Sequence, residues 1–361
     1  MRKGADVKMS ALPFTQIYLV PVIIIAGYLL GGWCEFITPL FVFGIMPILD
    51  YIIGPYKKNA PEDQEKSLSE KREFRWITWA CVPMQVGLMV WGAYVATHKE
   101  LRWFELVGFV FSVGIMSGVM GINISHELIH RIQYPFERFL GNIMLWTTGY
   151  MHWAIEHVQG HHKNVATPLD PATAKLGESF WAFWPRTVFG GFQSAWKIEA
   201  RRMERMGKKI WSPSNRIIRY TASQALLALG LAYLFGFGAI LFYIAQGIIA
   251  FSLLEVVNYL EHYGLERRKI GENRYEPVTP LHAWNTSFRL TNYFLINLQR
   301  HSGHHAQPQR RYQILRHFDE SPQLPLGYAG MVPIALIAPL WRRIMDHRVL
   351  EYRSQLAQRG L

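Results

Sequence analysis

The chain has 361 residues, half of them hydrophobic, with 38 Lys or Arg against 26 Asp or Glu and a formal net charge of +12. Its mean hydropathy is +0.05 and its pI near 9.6. That balance excludes an ordinary soluble domain and equally a bundle wholly immersed in lipid; a membrane part joined to a polar part averages to it. The charge alone would suit a nucleic-acid binder, but no nucleic-acid motif accompanies it, and basic cytoplasmic loops give the same number. The two cysteines, Cys34 and Cys81, lie in apolar stretches and build neither a disulfide framework nor a thiolate metal site.

Arg2, Lys3 and Lys8 open the chain, and the apolar run that follows is too long for a cleavable signal. Spans are predicted at 13–34, 36–55, 76–97, 104–124, 216–236 and 238–258. Each is near the roughly 20 residues that cross the hydrocarbon core. Pro21, Pro39, Pro47 and Pro83 fall inside them and are tolerated in membrane helices. The segment 56–75 holds Lys57, Lys58, Lys66, Lys71, Arg72 and Arg75, whereas the connections near 35 and 237 hold no lysine or arginine. With six spans, the N-terminus, this loop, 125–215 and 259–361 share one basic side, which the positive-inside rule makes cytoplasmic.

Residues 125–215 and 259–361 are too polar to span and too rich in Trp, Phe and Tyr to be disordered. They read as a cap of helices and loops, with 137–150 either in the cap or at the interface. The expected fold is therefore an all-α integral membrane protein of one domain, residues 1–361, with six transmembrane helices and a cytoplasmic, histidine-rich helical cap.

Nine of the 14 histidines fall in four clusters. His126-Glu-Leu-Ile-His130 follows the fourth span, and His157-Val-Gln-Gly-His161-His162 comes about 30 residues later. His262 follows the sixth span, and His301-Ser-Gly-His304-His305 closes the set. On a helix, residues three or four apart share a face, so His126 with His130, His157 with His161, and His301 with His304 or His305 can aim at one site. An adjacent pair can reach two metals. Neutral imidazole suits iron, zinc, copper and nickel. A zinc site needs about four ligands. Nine imidazoles without a thiolate approach what two five- or six-coordinate irons require.

His98, His317 and His347 read as ordinary interfacial or hydrogen-bonded residues, while His152 and His282 lie near the clusters as candidate supporting donors. Glu127, Glu156, Glu255, Glu261 and Asp170 are the nearby carboxylates, better suited to accept the second ring N–H of a ligand than to bind metal themselves. Asp170, Glu255 and Glu261 are the supporting candidates carried forward. Glu255 lies inside the sixth span, where a charge is costly, and is expected to face the metal cavity. His126–His130 also fits the zinc-protease pattern H-E-x-x-H, with Glu127 as base. That reading leaves seven histidines unexplained.

The four clusters, their order and their places after spans four and six resemble the membrane alkane monooxygenases. Acyl desaturases and fatty-acid hydroxylases share three histidine boxes; the element Asn258-Tyr259-Leu260-Glu261-His262-Tyr263-Gly264-Leu265 resembles the alkane and xylene branch. Leu298-Gln299-Arg300-His301-Ser302 and Ala166-Thr167-Pro168-Leu169-Asp170-Pro171-Ala172-Thr173 resemble the alkane side of it. The likeness runs from the second span to about residue 348. Ile129, Arg131, Val158 and Gly303 depart from the usual boxes without removing a histidine.

The resemblance implies that His126, His130, His157, His161, His162, His262, His301, His304 and His305 ligate two non-haem irons. It implies O2-dependent hydroxylation of the terminal methyl of a medium- to long-chain n-alkane in a bacterial inner membrane. Electrons would come from rubredoxin and its reductase. Rubredoxin is acidic, and Arg201, Arg202, Arg205, Lys208, Lys209, Arg310, Arg311, Arg342 and Arg343 offer it a basic surface. No Cys-x-x-Cys pair occurs in these 361 residues, so no rubredoxin domain is fused within them. The substrate would enter laterally from lipid, and an end-on channel would select the terminal carbon by position. The competing readings are an acyl desaturase or fatty-acid hydroxylase, and a metal carrier, which should show polar ligands along its spans.

Overall fold

A computed structural model describes residues 9–272 and 274–359. Arg2, Lys3 and Lys8, on which the expected side of the N-terminus partly rests, lie outside the described residues. In chain order the helices are α1 (Leu12–Leu30), α2 (Gly32–Ile53), α3 (Glu62–Glu70), α4 (Arg72–His98) and α5 (Trp103–Ile129). Next come α6 (Pro135–Thr147), α7 (run together from Trp153–Glu156, His157–His161 and His162–Asn164) and α8 (Phe180–Arg205). The last two spans are α9 (Arg216–Phe235) and α10 (Gly238–His262). A small hairpin, β1 (Lys269–Gly271) with β2 (Arg274–Tyr275), precedes α11 (Arg289–Phe294), α12 (His301–Ala306), α13 (Tyr328–Ala335) and α14 (Ala338–Gln358).

Helices α1, α2, α4, α5, α9 and α10 are long and apolar enough to cross a membrane, and each covers a predicted span. The ends differ. The first predicted span stops at Leu30, because Gly31 and Gly32 take φ of 66° and 62° and turn the chain. Only glycine enters that region without steric cost. Helices α5 and α10 instead run past the apolar residues, so His126 and His262 sit on the last turns of the spans themselves.

The centre of the bundle is a close crossing of α5 and α10. A Cβ on Gly114 would meet Ile249 at 2.6 Å, and one on Gly118 would meet Leu253 at 2.9 Å. Small residues let two backbones approach where burial against lipid tails offers no net gain. Between them the C-terminal end of α6 returns to the level of the spans: Gln85 of α4 reaches Thr147 Oγ1 at 3.2 Å, and Gln246 of α10 reaches the Thr147 carbonyl at 2.8 Å. Tyr243 donates to the Trp146 carbonyl at 2.7 Å and Gln224 to that of Gly149 at 2.7 Å. These side chains satisfy carbonyls that a helix end leaves open, so 137–150 is anchored beside α4 and α10 and not on the outside of the cap.

Buried Asp50 in α2 ties the spans to the cap, accepting from the amides of Leu290 and Thr291 at 2.6 and 3.0 Å. It thereby caps α11 across some 240 residues. Over 259–359 a second core forms around Tyr259, Tyr263, Trp284 and Trp341.

Candidate metal centre

The nine clustered histidines meet in one place, at the end of α5 and α10, and divide into two groups. Nitrogens of His126, His130, His157, His162 and His304 lie within 4.8 Å of one another, and so do those of His161, His262, His301 and His305. Two nitrogens on one ion at a bond length near 2.1 Å are separated by roughly 4 Å or less, so each group has nearly the span of one metal site. The groups adjoin: the rings of His162 and His305 are 4.5 Å apart.

Local backbone geometry makes the division. Residues His157–His161 form a π turn, in which i and i+5 align in place of i and i+4. His157 therefore pairs with His162, their Nε2 atoms 3.1 Å apart, whereas equal α spacing predicts His157 with His161. On α12 the ordinary spacing holds for His301 and His305, and His304 turns to the other group. Each adjacent pair, His161–His162 and His304–His305, is split between the two groups.

The residues fit a metal. Buried ring nitrogens of His126, His130, His157, His161, His162, His262, His301 and His305 lack hydrogen-bond partners in the protein, a costly state unless something else binds them. Burial first, and neighbouring histidines second, push His130, His157, His162, His301, His304 and His305 well below the usual imidazole range. They are neutral rings, which is the ligating form. With no thiolate in the set, the donors suit iron among the imidazole-bound metals.

Supporting groups fix the outer ring nitrogens. Asp170 Oδ2 lies 2.9 Å from His161 Nδ1, and is itself held by Thr173 Oγ1 at 2.6 Å and by the Ala172 amide, at 3.0 Å from Oδ1. Burial pulls the His161 pKa down, but Asp170, helped by Glu156 and Glu255, outweighs it and the net shift is upward. The 166–173 segment is thus a cradle for one carboxylate. Glu261 Oε2 sits 3.0 Å from His301 Nε2, out of line for a hydrogen bond, and its Oε1 accepts from Tyr328 at 2.9 Å. His262 Nδ1 lies 3.3 Å from the carbonyl of His282, so His282 serves through its backbone while its ring accepts from the Thr279 amide.

Other candidates go elsewhere. Glu255 accepts from Tyr150, Thr187 and Asn258 at 2.9, 2.7 and 3.0 Å, and from no histidine ring among the described residues. It braces α10 against α8. Glu127 is paired at 2.9 Å with buried Arg131, and His126 and His130 share their group with three more histidines, unlike a zinc-protease motif with a free base. Burial, then Asp170, pushes Glu156 up to about 8. His152 packs on Tyr150 and Phe192. His98 stacks on Tyr94, His317 bonds Ser287 and Asn285, and His347 contacts Arg348.

A narrow apolar cavity leads to the histidines. His126, His157 and His301 close one end; Phe43, Leu253, Val257 and Phe294 form its walls. Sequence reasoning missed what shapes it. Residues Phe41–Ile45, Ser117–Ile122 and His157–His161 are π turns, and each contributes to its lining. Also unforeseen is the turn at Ile296 and Asn297, with φ of 47° and 61°. Asn tolerates this conformation and Ile does not; Asn297 holds it by donating to the Tyr312 carbonyl at 2.9 Å. The turn swings Leu298 into the cavity and leads into His301.

Residues 101–335 match the family described as fatty acid desaturase. Alkane 1-monooxygenase 2 of Pseudomonas aeruginosa is 44% identical over 313 residues, 86% of this chain and 83% of that protein. Alkane 1-monooxygenase 1 of the same species is 41% identical over 313 residues, 86% and 82% of the two chains. Alkane 1-monooxygenase of Acinetobacter baylyi is 39% identical over 335 residues, 92% and 80%. With the match spanning both histidine groups and the helices that carry them, the chain belongs to the fatty acid desaturase family and, within it, to the membrane alkane monooxygenases.

Proposed function

We propose that this chain is a di-iron monooxygenase that converts the terminal methyl of a medium- to long-chain n-alkane to a primary alcohol. One oxygen atom of O2 enters the product, and the other leaves as water after two electrons from rubredoxin and two protons. The carrying observation is the junction of two buried histidine groups with an apolar cavity that ends on His126, His157 and His301. The relatives named alkane 1-monooxygenase support the reaction class.

In this reading the nine histidines ligate two irons, five on one and four on the other. Iron supplies C–H oxidation, which no side chain can perform. The chain does the rest. Asp170 keeps a proton on His161 Nδ1 and leaves Nε2 for metal. Leu253, Val257 and Phe294 exclude water and hold the substrate lengthwise, so that its end, and not its middle, reaches the histidines. The histidine side is cytoplasmic in a bacterial inner membrane. Arg202, Arg310 and Arg311 are engaged by Glu199, Glu65 and Glu137. Arg342 and Arg343 on α14, with Arg201, Arg205, Lys208 and Lys209, remain to attract acidic rubredoxin.

The test is reconstitution with rubredoxin, its reductase and NADH, a mid-chain alkane and labelled dioxygen. Labelled 1-alkanol is expected. Iron-loaded protein that oxidises rubredoxin and acts only on an acyl chain would replace this reading with the desaturase or fatty-acid hydroxylase one.

A further inference from the structure

Where α8 meets α9 there is a second recess, which none of the nine clustered histidines lines and the reaction does not use. Its volume is about 810 Å³, within the roughly 300–1,000 Å³ typical of ligand clefts. Phe192 and Trp196 of α8, Trp211 of the connecting segment, and Ile218, Ala222 and Ala225 of α9 form an almost wholly apolar wall. Lys197 also lines it. The recess is at the polar end of a span, since α9 begins at Arg216 and carries its exposed Leu226, Leu229 and Tyr233 further along. Tryptophan concentrates at this depth of a membrane, where a ring can be apolar on one side and wet on the other.

Among the described residues Lys197 is the one charged residue in the lining, and the chain around it is predominantly basic. Residues 197–219 hold eight lysines and arginines against two glutamates. Glu199 is spent on Arg202 and Arg216. Among the described residues, Lys197, Arg201, Arg205, Lys208, Lys209 and Arg219 make no ion pair. A groove that is apolar along a span and cationic at its mouth needs a ligand with an apolar tail and an anionic head. A second copy of this chain would bring the same basic segment to the contact and be repelled.

We propose that this recess is a binding site for one anionic phospholipid, its acyl chain laid along Ala222 and Ala225 against the packed pair Trp196 and Trp211, whose rings are 5.0 Å apart, and its phosphate on Lys197. Basic pockets between membrane helices hold such headgroups by this combination. The bound lipid fills the corner between α8 and α9. Helix α8 carries Thr187, which bonds Glu255, and Phe192, whose ring packs on His152 at 5.3 Å. The site therefore braces the outer wall of the cap without touching a histidine of either metal group.

The test is native mass spectrometry of the purified full chain, titrated in detergent with phosphatidylglycerol or phosphatidylcholine and then diluted. The wild type is expected to retain one phosphatidylglycerol and to release phosphatidylcholine. Lys197→Glu, at an exposed side chain, should weaken that retention about tenfold. Ala225→Trp, which fills the groove, should abolish it, and Arg343→Glu, which changes net charge equally on α14, should leave it intact. Equal loss in Arg343→Glu and Lys197→Glu would reduce the effect to general surface charge and overturn the proposal. Equal retention of both lipids would overturn headgroup recognition, and a wild-type dimer that Ala225→Trp dissociates would assign the groove to a second copy. The readout is bound lipid, so it stands or falls independently of the proposed reaction.

Discussion

Helices α5 and α9 are both spans by length and composition, yet they live in different surroundings. In its most apolar window α5 is 78% buried, whereas α9 is 11% buried. Hydropathy says only that each can cross lipid. What separates them is what each carries: α5 has Gly114 and Gly118 for a close crossing, a π turn, and His126 at its end. Helix α9 presents Leu226, Leu229 and Tyr233 outward, with exposures of 68%, 60% and 90%. A span is central when it delivers a ligand and has small residues with which to pack.

The sharpest way to break this contrast is to alter one residue on each helix. His126→Ala should remove one of the two metals and lower alkane oxidation at least a hundredfold, more than loss of a supporting partner costs. Tyr233→Ala should leave both unchanged, as metal analysis and product formation will show. Next in size is packing. Gly114→Leu drives new atoms into Ile249 and should cost about 1–3 kcal/mol, while Leu229→Ala, facing lipid, should stay within about 0.5 kcal/mol. Thermal melts in detergent distinguish them.

Asp170→Asn probes the layer behind the ligands. It keeps the shape but lets the wrong tautomer of His161 form, and should weaken metal binding about 10–100-fold, as metal titration of the folded variant will show. The last variable is pH, in the metal-free protein. Six cap histidines have folded pKa values depressed by burial. The unfolded chain then binds more protons than the folded one once pH falls below the ordinary imidazole value near 6.5. Metal-free protein should hold its stability from pH 8 to about 7 and lose it progressively below about 6.5. A flat melt from pH 8 to 5 would mean that these rings are not buried neutral.

Much of this was legible in the sequence. The six spans follow from apolar length, and the convergence of nine histidines follows from their placement at one end of α5 and α10. The Asp170 segment and the Glu261-His262 element were visible through their resemblance to the alkane monooxygenase branch. What could not be read was set by tertiary contacts. The π turn at His157–His161 changes which ring faces which group, and no residue type announces it. Glu255 looks like a metal neighbour because charge inside a span is costly, yet Tyr150, Thr187 and Asn258 satisfy it. The return of α6 beside α4 depends on Gln85 and Gln246, residues distant in sequence whose role appears only when the helices meet. His282 was noticed for its ring but acts through its carbonyl.

The most direct test of the central claim is iron per chain in three purified proteins, by metal analysis with a spectroscopic count of coupled and isolated iron. The wild type should hold two irons. His130→Ala, in the five-histidine group, and His305→Ala, in the four-histidine group, should each retain one, at different sites. A wild type that saturates at one iron, or two variants that lose the same iron, would contradict the assignment of the two histidine groups to two metals.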